Sequence, residues 1–317
     1  MGRTSTLPKR FQPMLATLTG APFDHAGWVF EDKYDGFRMV AKSENGKVTL
    51  YSRNGQIISH SYLEVARALE GAKGDAVIDG ELIALDENGI SHFQLLQNAL
   101  RHKAKLLYCA FDLMFQDGED LRGLTLLERK KRLKSILPRH KLIGFSRHRK
   151  KFGTRFFEEA ERLGLEGIMA KRADSKYLSG ARSDNWLKIK TSKRQEVVIT
   201  GFTAPKRTRP FFGALALAVR DNKGWRYVGH VGTGFSHKTL EELHGKLIKL
   251  KSTKSPFFGK VKDEAVTTWV KPFLVAEVKF TEWTSSGEMR HPVYLGLRTD
   301  KRAEDVVRER EELRPIG

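Results

Sequence analysis

The spacing of apolar and polar positions changes along the chain, and each change marks an element. Residues 28–33, 37–42, 47–51 and 76–85 are short runs rich in β-branched and aromatic residues and predict strands. The second and third are separated by Asn45-Gly46, a dipeptide suited to the positive φ angles of a tight hairpin. Over 61–69, Leu63, Ala66 and Leu69 recur at helical spacing, which core packing explains. The unbroken apolar run 106–115 fits a strand covered on both faces, with Cys109 a buried core thiol. Residues 124–137 predict a basic amphipathic helix whose start carries Thr125 and, three residues later, Glu128, the reciprocal pair of a capping box. Its Arg129, Lys130, Lys131, Arg132 and Lys134 read as a solvated face. A further helix over 154–163 is closed by Gly164, and strand signals at 167–171 and 186–190 flank the polar stretch 173–185.

A composition shift at Thr191-Ser192-Lys193-Arg194 predicts an interdomain hinge. Beyond it, strands at 196–202, 213–220, 225–231 and 275–281 are interrupted by one helix over 238–250 after a Ser236 cap, and 302–313 predicts a final helix. Many short strands with one helix fit a small barrel. Residues 1–26 form a proline-marked lead-in. The cluster Gly229-x-x-Gly232-x-Gly234 does not open a helix after a strand, and the Gly-Lys pairs at 46, 245 and 259 lack the Ser or Thr of a phosphate loop. Any nucleotide bound here is held by another device.

The 317 residues are enough for two domains, and 57 Lys plus Arg against 38 Asp plus Glu give a net charge of +19. So large a positive excess points to a polyanionic partner, nucleic acid first among them. An anionic membrane is disfavoured because no lipid anchor is evident and the basic residues of the 124–137 helix read as a solvated face. Cys109 is the only cysteine, which excludes an internal disulfide and a cysteine-rich zinc site. With no apolar leader and no membrane-length run, a reducing, cytoplasmic setting is expected.

The candidate chemistry centres on Glu31-Asp32-Lys33-Tyr34-Asp35-Gly36-Phe37-Arg38. A lysine attacks only as the neutral amine, a form that makes up roughly one part in a thousand of an ordinary lysine near neutral pH. Neighbouring cations and partial desolvation favour that form, and Arg38, Arg53, Lys188 and Lys190 are candidate cations for Lys33. Gly36 is expected to give the backbone a tight turn behind the lysine, clear of a bound nucleotide. Lys188 and Lys190 alternate with Leu187 and Ile189, so period two puts both ammonium groups on one side of a strand.

This stretch resembles the Lys-x-Asp-Gly-x-Arg signature of the covalent nucleotidyltransferases: ATP-dependent DNA ligases, RNA ligases and capping enzymes. The other motifs follow in order: Ser52-Arg53-Asn54-Gly55, Asp79-Gly80-Glu81-Leu82, Ala110-Phe111-Asp112-Leu113, Glu166-Gly167-Ile168-Met169-Ala170-Lys171, Trp186-Leu187-Lys188-Ile189-Lys190, Arg290-His291-Pro292 and Arg298-Thr299-Asp300-Lys301. Nearly the whole chain is similar to the ligase module of bacterial ligase D, including the opening Phe11-Gln12-Pro13-Met14-Leu15-Ala16.

The resemblance implies an α+β chain: a nucleotidyltransferase (ATP-grasp-like) adenylation domain over 1–193 and a small OB-fold β-barrel domain over 194–317. It implies a lysyl-adenylate on Lys33. ATP and phosphate contacts are implied for Glu31, Arg38, Arg53, Glu81, Phe111, Ile168, Lys188, Lys190, Arg290, Arg298 and Lys301. Phe111 and Ile168 are expected on opposite faces of adenine, and Glu166 and Glu81 on Mg²⁺ or Mn²⁺. Arg290, Arg298 and Lys301 are expected to reach pyrophosphate when the second domain closes. The implied substrate is nicked double-stranded DNA, with Ku, the DNA-end-binding protein, as a partner, and the implied form a monomer in the bacterial nucleoid.

Plainer readings stand beside these. Arg53 suits a Ser-x-Asn-Gly turn, Phe111 an apolar core, the glutamates surface ion pairs, and Lys188 and Lys190 a half-exposed basic strand. An RNA ligase or capping-type nucleotidyltransferase shares the lysine chemistry, and an inactive nucleic-acid-binding module accounts for the charge.

Overall fold

The computed structural model describes residues 11–99, 104–205, 209–259 and 261–309, the side chains of Gln97 and Asn98 excepted. Two compact units meet in sequence between Thr191 and Ser192. The first runs β1 (Leu15–Leu18), β2 (Asp24–Asp32), β3 (Phe37–Glu44), β4 (Lys47–Ser52), α1 (Leu63–Leu69), β5 (Ala76–Leu85), α2 (Phe93–Asn98), β6 (Lys105–Gln116), β7 (Glu119–Asp120), α3 (Leu126–Ile136), β8 (Ile143–Phe145), β9 (Arg149–Phe152), α4 (Gly153–Arg162), β10 (Gly167–Arg172) and β11 (Arg182–Lys190).

These strands make two sheets. One has the order β1-β11-β10-β2-β9; the other has β4-β3-β5-β6-β7, with β8 parallel to β6. A shared core of Met14, Val40, Val77, Phe111, Tyr177 and Trp186 draws on both. The outer face of the second sheet is covered by α1, α2 and α3 through residues such as Val65, Phe93 and Leu133. Helix α4 covers the outer face of the first through Phe156 and Ala160, which pack with Phe30, Ile168 and Ile189.

Local chemistry accounts for the boundaries. The β3–β4 hairpin turns on Asn45 and Gly46 with φ of 52° and 74°, as the dipeptide requires. Helix α3 starts in the expected capping box, Thr125 accepting from the Glu128 amide while Glu128 accepts from the Thr125 amide. Within the predicted lead-in, 15–18 instead form β1, aligned parallel to β11.

The second unit comprises β12 (Arg194–Thr203), β13 (Leu215–Asp221), β14 (Gly224–Val231), α5 (His237–Ile248), β15 (Thr267–Trp269), β16 (Val275–Lys279) and β17 (Val293–Leu297). Its six strands follow the order β14-β13-β12-β16-β17, with β15 on β12, around a core that includes Leu240, Leu243 and Leu247 of α5. The helix predicted over 302–313 does not form within the described residues, where a single 3₁₀ turn spans Ala303–Asp305. The segment spends its backbone groups elsewhere: the Arg220 amide donates to the Val306 carbonyl, and the Gln195 side chain bonds both Val307 O and the Glu309 amide. The rest of that predicted helix, 310–313, lies outside the described residues.

Candidate active site

Lys33 follows the last residue of β2, and its amide donates to the Gly167 carbonyl at 3.0 Å. That bond brings the end of β2 level with the start of β10, and the Lys33 Nζ lies 2.5 Å from Glu166 Oε1. Gly167 has φ of 154°, and a Cβ there would strike the Ile189 carbonyl, so only glycine lets this corner close. Gly36 is explained differently from the expectation. A Cβ at 36 would strike the Leu82 carbonyl of β5 and the Ile83 side chain, so the close approach of the neighbouring strand by itself demands glycine.

Cross-strand register assigns the remaining side chains to faces. Met169 lies opposite both Glu31 and Lys188, Lys171 opposite Trp186, and Lys190 opposite Gly167. Paired residues of adjacent antiparallel strands share a face, so one face of the first sheet carries Glu31, Met169, Lys171, Trp186, Lys188 and Lys190. It is the face of the shared core, since Trp186 packs there against Phe111 at 6.1 Å between ring centroids. The period-two reading of Lys188 and Lys190 thus holds.

Ile168 is a correction. It is fully buried on the opposite face, packed with Phe156, Ala160 and Ile189 beneath α4, so it cannot form an adenine sandwich with Phe111. Its neighbour Met169, half-buried, shares the inner face with Lys171 of the same motif.

On the second sheet, Arg38 of β3 lies opposite Glu81 of β5. Its guanidinium makes a two-point pair with buried Asp79, Nε to Oδ1 at 2.6 Å and Nη2 to Oδ2 at 2.5 Å, and the Tyr177 hydroxyl donates to the same carboxylate at 2.6 Å. The guanidinium also lies over the Phe111 ring, 4.6 Å from its centroid, and the Lys171 ammonium lies 4.4 Å from that centroid. Phe111 is 7% exposed, a core residue with its π system engaged by cations. Arg53 stands in the turn closed by the Gly55 amide on the Ser52 carbonyl.

The structure also holds two buried ion clusters that the sequence does not predict. Arg129 and Lys130, expected on a solvated face, are 0% and 1% exposed. Arg129 forks onto Asp112 at 2.7 and 2.9 Å and donates to the Leu124 and Ser175 carbonyls. Lys130 donates to Glu31 Oε1 at 2.8 Å; Ser146 Oγ and Lys171 Nζ donate to Oε2 at 2.8 and 3.0 Å. Burial alone would raise the Glu31 carboxyl, but the Lys130 and Lys171 charges and hydrogen bonds outweigh it and hold it at about 2. Burial also pushes the Lys171 ammonium down, against the pull of Glu31. Glu31, expected on ATP, is therefore 2% exposed and turned to protein donors.

The signal for these clusters was present. Residues 126, 129, 130 and 133 follow the i, i+3, i+4, i+7 stripe of a core-facing helix. Two cations inside that stripe require buried acids, and Asp112 and Glu31 sit in apolar strands.

In the second unit, Arg298 and Lys301 meet at an acidic cluster. Glu196 of β12 and Glu277 of β16 face each other directly across neighbouring strands. Arg298 pairs with Asp300 at 2.9 Å and Glu277 at 3.4 Å, and Lys301 with Glu196 at 2.8 Å. The two cations neutralise a like-charge pair in the sheet, so in this structure they are engaged by carboxylates, not turned to a phosphate. Arg290, 58% exposed, lies between β16 and β17 and pairs with Glu282 at 2.7 Å.

Residues 13–190 match the model of the ATP dependent DNA ligase domain, and residues 208–301 that of the ATP dependent DNA ligase C terminal region. The multifunctional non-homologous end joining protein LigD of Pseudomonas aeruginosa is 37% identical over 98% of this chain and 38% of its own length. LigD of Mycolicibacterium smegmatis is 36% identical over 95% of this chain and 40% of its own length. The chain thus spans about two fifths of these relatives. A solved mycobacterial DNA ligase D complexed with ATP and MES superposes with a TM-score of 0.70 at 34% identity, over 94% of this chain and 98% of that one. The ligase domain of M. tuberculosis LigD gives 0.54 at 35% identity over the same shares. The order of motifs, the two-sheet unit with Lys33 at a strand end and these matches agree: the chain belongs to the ATP-dependent DNA ligase family, with an α+β adenylation unit followed by an OB-fold unit.

Proposed function

We propose that this chain seals nicks in duplex DNA, with ATP, through a lysyl-AMP on Lys33, and serves bacterial end joining. The observation that carries the proposal is the 2.5 Å contact between the Lys33 ammonium and Glu166, at the edge of a sheet face that also bears Lys188 and Lys190. In the first step the Lys33 nitrogen attacks the α-phosphorus of ATP: the N–P bond forms, the bond to pyrophosphate breaks, and the amine loses a proton that Glu166 is close enough to take. Lys188 and Lys190 supply positive charge for the phosphates as negative charge moves onto pyrophosphate. A 5′-phosphate oxygen at the nick then displaces the lysine from phosphorus, and the 3′-hydroxyl displaces AMP to close the strand.

A divalent ion suits the donor chemistry. Glu166 and Glu81 offer hard carboxylate oxygens that would hold Mg²⁺ or Mn²⁺, and the ion would supply positive charge to neutralise phosphate. Among the described residues no group of three or more His, Cys, Asp or Glu side chains gathers to hold a metal by itself. Arg38, Arg53 and Arg290 remain proposed phosphate contacts, and Phe111 a proposed adenine neighbour once Arg38 or Lys171 withdraws from its ring. Arg298 and Lys301 reach pyrophosphate only by leaving their carboxylates.

Domain limits of 1–193 and 194–317, a monomeric form, a cytoplasmic nucleoid setting and recruitment by Ku belong to the same proposal. No helix among the described residues is long and apolar enough to cross a membrane. The test is label transfer: protein, Mg²⁺ and α-labelled ATP without DNA, resolved on a denaturing gel beside Lys33→Ala. A labelled band lost in the variant supports the reading; labelling by GTP instead of ATP, or no band from protein free of bound AMP, sinks it.

A further inference from the structure

We infer that Lys130, which takes no part in the proposed phosphate chemistry, is a positioning residue for Lys33: it fixes Glu31, and Glu31 fixes the end of β2 from which the nucleophile projects. This inference rests on the ligase reading above. Lys130 reaches Glu31 Oε1 at 2.8 Å, the Ser146 carbonyl at 2.9 Å and the Phe111 carbonyl at 3.4 Å, so its three N–H bonds tie β2, β6 and the segment after β8 to α3. An ammonium has three donors and no acceptor, and here each has a partner.

Glu31 is equally committed, to Lys130, Lys171 and Ser146, all of them 2% exposed or less. Only Asp32 separates it from Lys33. The strand end is thereby held from two sides: Glu31 through its side chain on α3 and β10, and Lys33 through its amide on the Gly167 carbonyl. A charge-assisted contact in a dry site is directional and costly to loosen, and an in-line attack loses rate steeply when the nucleophile moves by an ångström. The whole contact is remote from solvent, which separates it from the ordinary surface pairs of α3 such as Arg132 with Glu119, 39% and 55% exposed.

The experiment is single-turnover self-adenylation with α-labelled ATP and Mg²⁺, at saturating and limiting ATP, on wild type, Lys130→Met, Lys130→Arg, Glu31→Gln, the Glu31→Gln/Lys130→Met double variant and Ser146→Ala, each checked for a cooperative thermal transition. Lys130→Met is expected to slow the step at saturating ATP by about tenfold or more, with the half-saturating ATP concentration shifted less than about threefold. Lys130→Arg should recover part of the rate. The double variant should be no slower than Glu31→Gln, because both changes break one contact. If Lys130→Met does not fold, Ser146→Ala and Lys130→Arg carry the test, each expected to lower the rate at saturating ATP and not the ATP affinity. Losses that multiply in the double variant, a loss confined to ATP affinity, or variants as fast as wild type overturn the inference. A wild type that takes no label at all overturns the ligase reading, and this inference with it.

Discussion

The Lys33 ammonium sits 2.5 Å from the Glu166 carboxylate because the Lys33 amide and the Gly167 carbonyl lock β2 and β10 at the same level. A nucleophilic lysine must shed a proton, and the group touching that proton is Glu166. The pair therefore joins two roles that the resemblance implies separately, the proposed nucleophile and the acid proposed to hold a metal ion.

Glu166→Gln keeps the size and a hydrogen-bonding oxygen but removes the base. Self-adenylation is expected to fall by roughly 10²-fold or more, the scale of a lost general base, while Lys33→Ala removes it altogether. Rapid-quench measurement of the labelled protein decides the matter, and a Glu166→Gln rate within a few-fold of wild type would make the ion pair a resting contact only.

Ile168 and Met169 are neighbours with opposite expectations. Ile168 is fully buried against α4, so Ile168→Ala should cost about 2–5 kcal/mol of stability as a core truncation. Met169 faces Glu31 and Lys188, so Met169→Ala should weaken ATP use with a smaller stability loss. Denaturant titration beside ATP dependence of adenylation separates them; the reverse pattern would mean that the inner face is misassigned.

What was legible in the sequence follows from the kind of signal each feature leaves. Strand cores such as 76–85, the Asn45-Gly46 hairpin and the Thr125–Glu128 cap are local, and the structure has them where they were expected. The face carrying Lys188 and Lys190 follows from period two. Ile168 fails because a motif gives a position but not which side of β10 it occupies, and that is fixed by pairing with β2 and β11. Arg129 and Lys130 are hidden among five basic residues within 129–134, where composition masks the stripe. The pyrophosphate role of Arg298 and Lys301 is what the resemblance implies, and their carboxylate partners are not legible because Glu196 and Glu277 become neighbours only through sheet pairing.

Arg129 and Asp112 are both wholly buried and paired at two points. Removing one partner strands the other charge, so Asp112→Leu or Arg129→Met should each cost about 3–5 kcal/mol. The Asp112→Leu/Arg129→Met pair should cost less than the two singles summed, because no uncompensated charge remains. Additive losses in urea unfolding would show that the two side chains stabilise the fold independently.

Affinity for nicked duplex should fall steeply with salt. With a net charge of +19, several phosphates are neutralised on binding and their counterions released. For six to ten contacts the loss between 50 and 200 mM salt is about 10³–10⁵-fold. Fluorescence anisotropy across that range measures the slope, and a flat response would mean that the basic excess lies off the DNA path.

The second unit offers a test of its own charge cluster through pH. Burial alone would raise Glu196, but Lys301 and Arg298 bring its carboxyl from 4.5 down to about 2. A value lowered by folding means that the folded state holds the ionised form more firmly than the unfolded chain does. The stabilisation is thus complete above about pH 5 and is lost as pH falls from 4.5 towards 2. Glu196→Gln cannot titrate there. Wild type should be the more stable near neutrality, with the gap closing through that window; Glu31, also held at about 2, titrates alike in both proteins and cancels from the comparison. Calorimetric melting of the two proteins at pH 7, 4.5 and 3 reads the gap directly. A gap independent of pH would mean that Arg298 and Lys301 do not bind the ionised carboxylate in solution, and would return both cations to the set able to meet phosphate.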